Sequence, residues 1–243
     1  MRRLLLLLLL TPFLAAFSCG TPAPPTDMTP VAGGVFPAGA DLGTRDNHER
    51  EVTVEPFAIM RFEVTVAQYR ECVKADRCKD VKLPPTMDDP DLPAVNMPYG
   101  DAAAYCAWRG LRLPTENEWE RAARGPQNTL YPWGEDFLPD AANGGHAIAC
   151  RREAKTYRFT APADCFPADV SGYGLRSMAG NAAEWVSTAY SPEPANPGDP
   201  AFRVVKGGSY YSEPAQQTGA WREPALAVNP SLRIGFRCAS DAP

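Results

Sequence analysis

Residues 105–125 read YCAWRGLRLPTENEWERAARG, and this stretch holds the clearest local signals in the chain. Its segment TENE (115–118) has the T-x-x-E form of a capping box, in which threonine and glutamate satisfy free N–H groups at the start of a helix. Trp119 and the alanines that follow give this helix an apolar face, and Gly125 ends it. The stretch therefore predicts a short amphipathic helix with a defined start and end.

The flanking segments predict more short elements. A second helix is expected over residues 101–109, and a T-x-x-Q capping box at 65–68 begins another helix of about ten residues. β-Structure is expected over residues 52–60, 202–206 and 232–239. Pro56 interrupts the first of these strands. Because residues 79–98 are proline-rich and residues 126–200 are rich in turn signals, we expect irregular structure there.

Composition limits the class of protein. A chain of 243 residues with 44% hydrophobic residues can bury a core, and one domain fits it better than two. The 26 prolines and 19 glycines indicate short elements joined by many turns, so the predicted fold class is α+β. The formal charge is −5 and there is no long run of Lys or Arg, which argues against a nucleic-acid partner.

The N-terminus resembles an export signal. Two arginines precede an apolar run of about 14 residues, which is shorter than the roughly 20 residues of a membrane-spanning helix. We interpret residues 1–18 as a lipoprotein signal peptide, with Cys19 lipidated as the mature N-terminus. Residues 19–30 then form a Pro/Thr-rich tether, and residues 31–243 form the domain. Ordinary secretion, with Cys19 inside the discarded peptide, is the alternative.

The other six cysteines predict disulfides, since an even number in an exported chain is typical of a covalently cross-linked domain. Their spacing suggests three pairs, Cys72 with Cys78, Cys106 with Cys238, and Cys150 with Cys165. Six cysteines nevertheless allow 15 connectivities. A zinc site is disfavoured, because there is no C-x2-C and the two histidines, His48 and His146, are far apart in sequence.

Six strings occur in an order that resembles one known family. They are FEVTVAQY (62–69), the opening stretch (105–125), YPWG (131–134), GLRSMAGNAAEW (174–185), RVVKGGSY (203–210) and RIGFRC (233–238). Together they resemble the sulfatase-modifying-factor domain, the family of the formylglycine-generating enzyme. The resemblance implies a loop-rich α+β fold related to C-type lectins. It also supports a disulfide between Cys106 and Cys238.

The resemblance raises a question about catalysis. Family enzymes carry two reactive cysteines, five residues apart, that bind copper(I) for O2-dependent oxidation of a substrate cysteine to formylglycine. Counted from the G-G-S segment, these positions fall on Ser212 and Gln217, and neither residue supplies the soft thiolate that copper(I) requires. Copper is therefore not expected as a cofactor. A three-histidine iron site, as in a related branch, is disfavoured because the chain has two histidines.

Other residues are assigned to binding. Ser209 matches a groove-lining serine of the family, and Tyr210, Tyr211 and Trp221 form a candidate aromatic platform for a peptide; burial in the core is the alternative for these rings. The resemblance also implies one calcium site, at Asn181 and Glu184, whose oxygens suit a hard cation. The alternative is that Asn181 caps a turn and Glu184 pairs with an arginine.

The sequence therefore predicts a lipid-anchored protein of the bacterial envelope, with outer membrane as the expected location. Its expected role is non-catalytic binding of a peptide or envelope protein. An oxidase is the alternative, either a formylglycine generator with displaced ligands or an enzyme with a different mechanism. A Ser212 nucleophile would need a base such as Glu213 or Glu223, and a solvated loop is the commoner arrangement for such residues.

Overall fold

The computed structural model describes residues 27–43, 47–145, 148–150 and 155–242, in which the elements are short. The strands are β1 (Met28–Val31), β2 (Gly34–Ala38), β3 (Arg50–Val54), β4 (Phe57–Met60), β5 (Ile148–Cys150), β6 (Lys155–Tyr157), β7 (Ala183–Tyr190), β8 (Asp199–Lys206), β9 (Arg222–Leu226), β10 (Ile234–Gly235) and β11 (Ala239–Asp241). The helices are α1 (Val66–Lys74), α2 (Tyr99–Trp108) and α3 (Glu116–Arg124), with a 3-10 helix at Pro214–Gln217. The predicted α+β class is confirmed.

Both predicted capping boxes are present. The Thr115 hydroxyl accepts from the Glu118 N–H at 3.2 Å, and the Thr115 N–H donates to the Glu118 carboxylate at 2.7 Å. The same pair of bonds joins Thr65 and Gln68 at the start of α1. Gly125 ends α3 with a φ of 70°, a left-handed conformation that glycine adopts readily. These local hydrogen bonds explain why sequence located the two helices closely.

Four sheets organise the chain. The largest has the strand order β10-β7-β8-β9, and the second has the order β1-β4-β11. Strands β2 with β3 and β5 with β6 form two antiparallel pairs. In the largest sheet Glu184 lies opposite Lys206, Val205 lies opposite Glu223, and Ile234 pairs in parallel with Ala183. This order brings three segments that are distant in sequence, around residues 183, 208 and 230, to one place.

The structure corrects several predicted boundaries. Strand β7 lies in the region expected to be turns; its first four residues are all buried, so the alternation typical of a half-buried strand is missing. Helix α2 begins at Tyr99, directly after Pro98, two residues before the predicted start. The segment 232–239 contains only β10 and the first residue of β11; residues 236–238 between them are buried but belong to neither strand. Strand β1 begins at Met28, inside the predicted tether.

The core consists of two large apolar clusters. One packs α1 and α2 around Trp185 and Phe236, and the other packs α3 through Trp119 against β2 and β4. The three suggested disulfides are all present: Cys72–Cys78, Cys106–Cys238 and Cys150–Cys165. The second joins α2 to the segment before β11, across 132 residues of sequence. It therefore fixes the C-terminus of the domain against its helical side.

Candidate functional site

The loop after β8 is shaped by two consecutive glycines. Gly207 and Gly208 have φ angles of 84° and 71°. A Cβ atom at Gly208 would lie 2.6 Å from the Gln216 carbonyl oxygen, so a side chain there would collide with the backbone. The Gly180 N–H donates to the Gly207 carbonyl at 2.8 Å, and the Tyr210 N–H donates to the Asn181 carbonyl at 2.9 Å. The loop is thus held firmly against residues 180–181.

The two positions matched to the reactive cysteines are buried and occupied in hydrogen bonding. The Ser212 hydroxyl oxygen accepts from the Ser209 N–H at 2.9 Å, and the Gln217 amide donates to the Ser212 carbonyl at 2.9 Å. Gln217 also packs against Gly144, where a Cβ would lie 2.1 Å from its amide nitrogen. Both side chains thus stabilise the loop.

A two-thiolate copper site does not fit these residues. Ser212 and Gln217 supply no sulfur, and the six cysteines in the described part of the chain are all paired in disulfides. Within the same ranges, no group of three or more His, Cys, Asp or Glu side chains is arranged to hold a metal ion. Nor, among the described residues, does a hydrogen bond join the Ser212 hydroxyl to a carboxylate: Glu223 accepts from Gln216 and Trp221 instead.

The loop forms one wall of a cleft of about 210 Å3, which we call the Ser209 cleft. Its lining comprises Ala183, Val205, Gly208, Ser209, Ser212, Glu223, Pro224, Ala225, Leu226, Asn229, Pro230, Ser231, Arg233 and Ile234. Ser209, the predicted groove residue, is among them. The strand residues in this lining are mostly apolar, and the loop residues contribute polar groups.

None of the three rings of the predicted aromatic platform is among the residues that line the cleft. Tyr210 packs edge-on against Phe159, with ring centroids 5.6 Å apart, beside the small apolar cluster that contains Met87. Burial raises the pKa of the Tyr210 hydroxyl. Trp221 donates to Glu223 at 2.9 Å, and neither ring lines the cleft. Tyr211, with 73% of its surface exposed, is the ring that projects from the loop. For Tyr210, packing against the protein is therefore the better description.

Asn181 and Glu184 are engaged in a buried network. Arg237 donates to the Glu184 carboxylate at 2.7 to 3.0 Å through two nitrogens, and Trp119 donates to it at 2.7 Å. The Asn181 side-chain oxygen accepts from the Ala161 N–H at 2.9 Å, and from the Asn143 amide. The calcium prediction at Asn181 and Glu184 does not fit these contacts, since both groups already have partners and one partner is a cation. The arginine-pair alternative describes Glu184.

Burial dominates the electrostatics of this network. The pKa of Glu63 is well above its ordinary value because burial and the neighbouring Glu184 disfavour its charge, despite Arg237 nearby. Burial opposes the charge of Arg237, but the Glu184 and Glu63 carboxylates outweigh it and raise the arginine pKa. Asp169 accepts a hydrogen bond from the Ala179 N–H, and burial raises the pKa of its carboxyl to about 7. These buried charged groups therefore serve to stabilise the fold.

Sequence reasoning missed several residues of the cleft. Asn229, Ser231 and Arg233 belong to a loop that reaches the cleft only because the Ala183 N–H donates to the Arg233 carbonyl at 2.9 Å. No local pattern marks this contact, which spans fifty residues. The position of Arg233 directly before the buried IGFRC segment (234–238) is the one signal available from sequence.

No helix in the described ranges is long and apolar enough to cross a membrane. The predicted signal peptide and the lipidation site Cys19 lie outside the described residues.

Comparison with known proteins shows extended similarity. The profile of the sulfatase-modifying factor enzyme 1-like domain matches residues 17–242. A formylglycine-generating enzyme of Bos taurus is 31% identical, over 91% of this chain and 76% of its own length. The inactive C-alpha-formylglycine-generating enzyme 2 of Mus musculus is also 31% identical, over 88% and 86%. The solved structure of PvdO from Pseudomonas aeruginosa has a TM-score of 0.70 at 24% identity, over 88% and 94%, and shares the fold.

Proposed function

Because the chain belongs to the sulfatase-modifying factor enzyme 1-like family, we propose that it is a non-catalytic member that uses the Ser209 cleft to bind a peptide segment of a partner protein. The observation that carries this proposal is the chemistry at Ser212 and Gln217. These side chains supply a hydroxyl and an amide, and both are bonded into the loop. Since copper(I) requires thiolates, these two residues cannot supply the ligands of the family's copper site.

Two curated relatives bear on whether the chain is catalytic. At equal identity the chain resembles a formylglycine-generating enzyme and a protein named as its inactive counterpart. The alternative function is therefore an oxidase of the formylglycine-generating type, or one with a different mechanism. The first form needs a pair of free thiolates near the cleft. In the described residues, disulfides occupy the cysteines, which argues against it.

Apolar side chains at the rim of the cleft favour a binding role. Five large hydrophobic residues are exposed in the described part of the chain, and three of them, Tyr211, Leu226 and Val228, lie on the segments that form the cleft. Exposed apolar groups around a concave site are typical of surfaces that contact a protein or peptide. An extended peptide could bury these side chains while its polar groups enter the cleft.

The proposed partner belongs to the cell envelope. The N-terminal sequence favours export and lipidation at Cys19, and three disulfides are typical of an oxidising compartment. We therefore place the domain outside the cytoplasm, held at the membrane by its lipid. Mass spectrometry of the native N-terminus tests this: a diacylated Cys19 is expected, whereas cleavage after Cys19 would contradict lipid anchoring.

Catalysis is tested by copper and oxygen measurements on the mature chain. We expect no tight copper(I) binding and no oxygen consumption with a cysteine-containing sulfatase-type peptide. The Ser212→Cys/Gln217→Cys double variant is the matched control, since it restores two thiolates and is expected to gain copper(I) binding. Tight copper binding with peptide-dependent turnover by the unaltered chain would refute the non-catalytic proposal.

Binding is tested by selecting peptides from a displayed library on the immobilised chain. A Tyr211→Ser/Val228→Ser double variant is expected to weaken selected peptides by about tenfold, because both side chains lose apolar contact area. Leu138→Ser is the control, since Leu138 is exposed but lies on none of the segments that form the cleft. If no peptide is enriched, or if the rim and control variants behave alike, the cleft is not the peptide site.

A further inference from the structure

Three serine hydroxyl groups of the Ser209 cleft can act as hydrogen-bond donors. The oxygens of Ser209, Ser212 and Ser231 accept from the N–H groups of Tyr211, Ser209 and Arg233 at 3.3, 2.9 and 3.2 Å. A serine oxygen that accepts from the backbone still has its own proton to donate. Within the described part of the chain, none of these three hydroxyls donates a hydrogen bond to a protein acceptor. The cleft therefore offers hydrogen-bond donors to whatever enters it.

Arg233 adds a positive charge beside these hydroxyls. Its side chain is exposed, and no carboxylate of the described residues is paired with it. Its backbone is fixed on both sides, because its N–H donates to Ser231 and its carbonyl accepts from Ala183 at 2.9 Å. The guanidinium therefore extends from a rigid base. A planar guanidinium with a vacant donor face matches a carboxylate in a two-point hydrogen bond.

The carboxylate of Glu223 limits the charge that the cleft can accept. It also lines the cleft, but one of its oxygens accepts from Gln216 at 3.0 Å and from Trp221 at 2.9 Å. One of its oxygens is therefore already engaged by two donors. With one cation and one anion in the lining, the cleft suits a ligand group of a single negative charge better than a polyanion.

We propose that the cleft recognises a carboxylate of its peptide ligand, with Arg233 as the charged partner and Ser209 and Ser212 as hydroxyl donors. This inference rests on the proposed function and names the chemistry of the peptide. The carboxylate can come from an Asp or Glu side chain or from a free C-terminus, which present the same group. In this arrangement, Ser212 has the role of a ligand donor at a position where relatives with thiolates carry out oxidation.

The test uses small blocked probes and amide chemical shifts of the mature chain. N-acetyl-aspartate N-methylamide presents a side-chain carboxylate, its asparagine counterpart is neutral, and N-acetylglycine presents a C-terminal carboxylate. We expect the carboxylate probes to shift the amide signals of Ser209, Ser212 and Arg233, with about tenfold weaker binding of the asparagine probe. The stronger of the two carboxylate probes identifies the source.

Arg233→Gln removes the charge at an exposed position and is expected to reduce binding of both carboxylate probes to the level of the asparagine probe. Arg77→Gln is the matched control, since Arg77 is exposed and does not line the cleft. Equal binding of the aspartate and asparagine probes, full binding by Arg233→Gln, or an absence of shifts would each overturn the inference. Library peptides that bind at the rim irrespective of charge would leave the proposed function standing while this inference fails.

Discussion

Asp169 gives a pH-dependent stability that can be measured directly. This residue is 1% exposed; one carboxyl oxygen accepts from the Ala179 N–H at 3.2 Å and the other has no partner among the described residues. Burial raises the pKa of its carboxyl from the ordinary 3.8 to about 7, although hydrogen bonds and two arginines oppose the shift. The folded chain therefore holds a proton that the unfolded chain releases between these values.

The direction of the effect follows from proton linkage. Where the folded state binds more protons than the unfolded state, the free energy of unfolding falls as pH rises, by up to about 1.4 kcal/mol per pH unit. For Asp169 the stabilisation is complete below pH 3.8 and is lost as pH rises through about 7. Across that window the loss amounts to about 4 kcal/mol at most.

The perturbation is Asp169→Asn, which resembles the protonated carboxyl and cannot ionise. We expect the variant and the unaltered chain to have similar stabilities near pH 4, and the variant to become more stable by up to about 4 kcal/mol near pH 8. Urea unfolding followed by circular dichroism at several pH values measures this difference. Asp140→Asn, at an exposed carboxyl, is the control. Stability curves for Asp169→Asn and the unaltered chain that run parallel across the pH range would refute the reasoning.

Three further predictions concern the supports of the domain. Cys106→Ala breaks the bridge that spans 132 residues and should lower the free energy of unfolding by about 5 kcal/mol on the chain-entropy model. Cys72→Ala breaks a bridge that spans 6 residues and should lower it by about 2 kcal/mol. Urea unfolding compares the two variants, and equal losses would contradict the entropic origin. Arg237→Leu leaves the buried Glu184 carboxylate without its cation and should cost about 3 to 5 kcal/mol, measured in the same assay; a loss of less than about 1 kcal/mol would show that water reaches the network. Millimolar calcium should leave the thermal midpoint unchanged, because Glu184 already pairs with that arginine; a clear rise, abolished by a chelator, would show that calcium displaces it.

Sequence predicted the features that depend on neighbouring residues. The helix starts at Thr65 and Thr115 rest on bonds between residues three apart, so the chain segment itself contains both partners. Sequence also led to the prediction that the family's reactive thiols are absent, because Ser212 and Gln217 stand at the positions counted from the glycine pair. The ordered motifs led to the family, which the profile match over residues 17–242 confirmed.

Only the tertiary structure decided which side chains face the cleft and which support it. Tyr210 and Tyr211 are adjacent in sequence, yet one packs against Phe159 and the other is exposed. The partner of Glu184 is 53 residues away, and Arg233 reaches the cleft through a parallel strand contact with Ala183. Such pairings depend on how the sheet brings distant segments together, and local hydrogen bonds and periodicity contain no information about them. The chain's sequence thus determined its family and predicted the absence of the copper-binding pair, whereas the packing of β7, β8 and β10 determined which residues line the cleft.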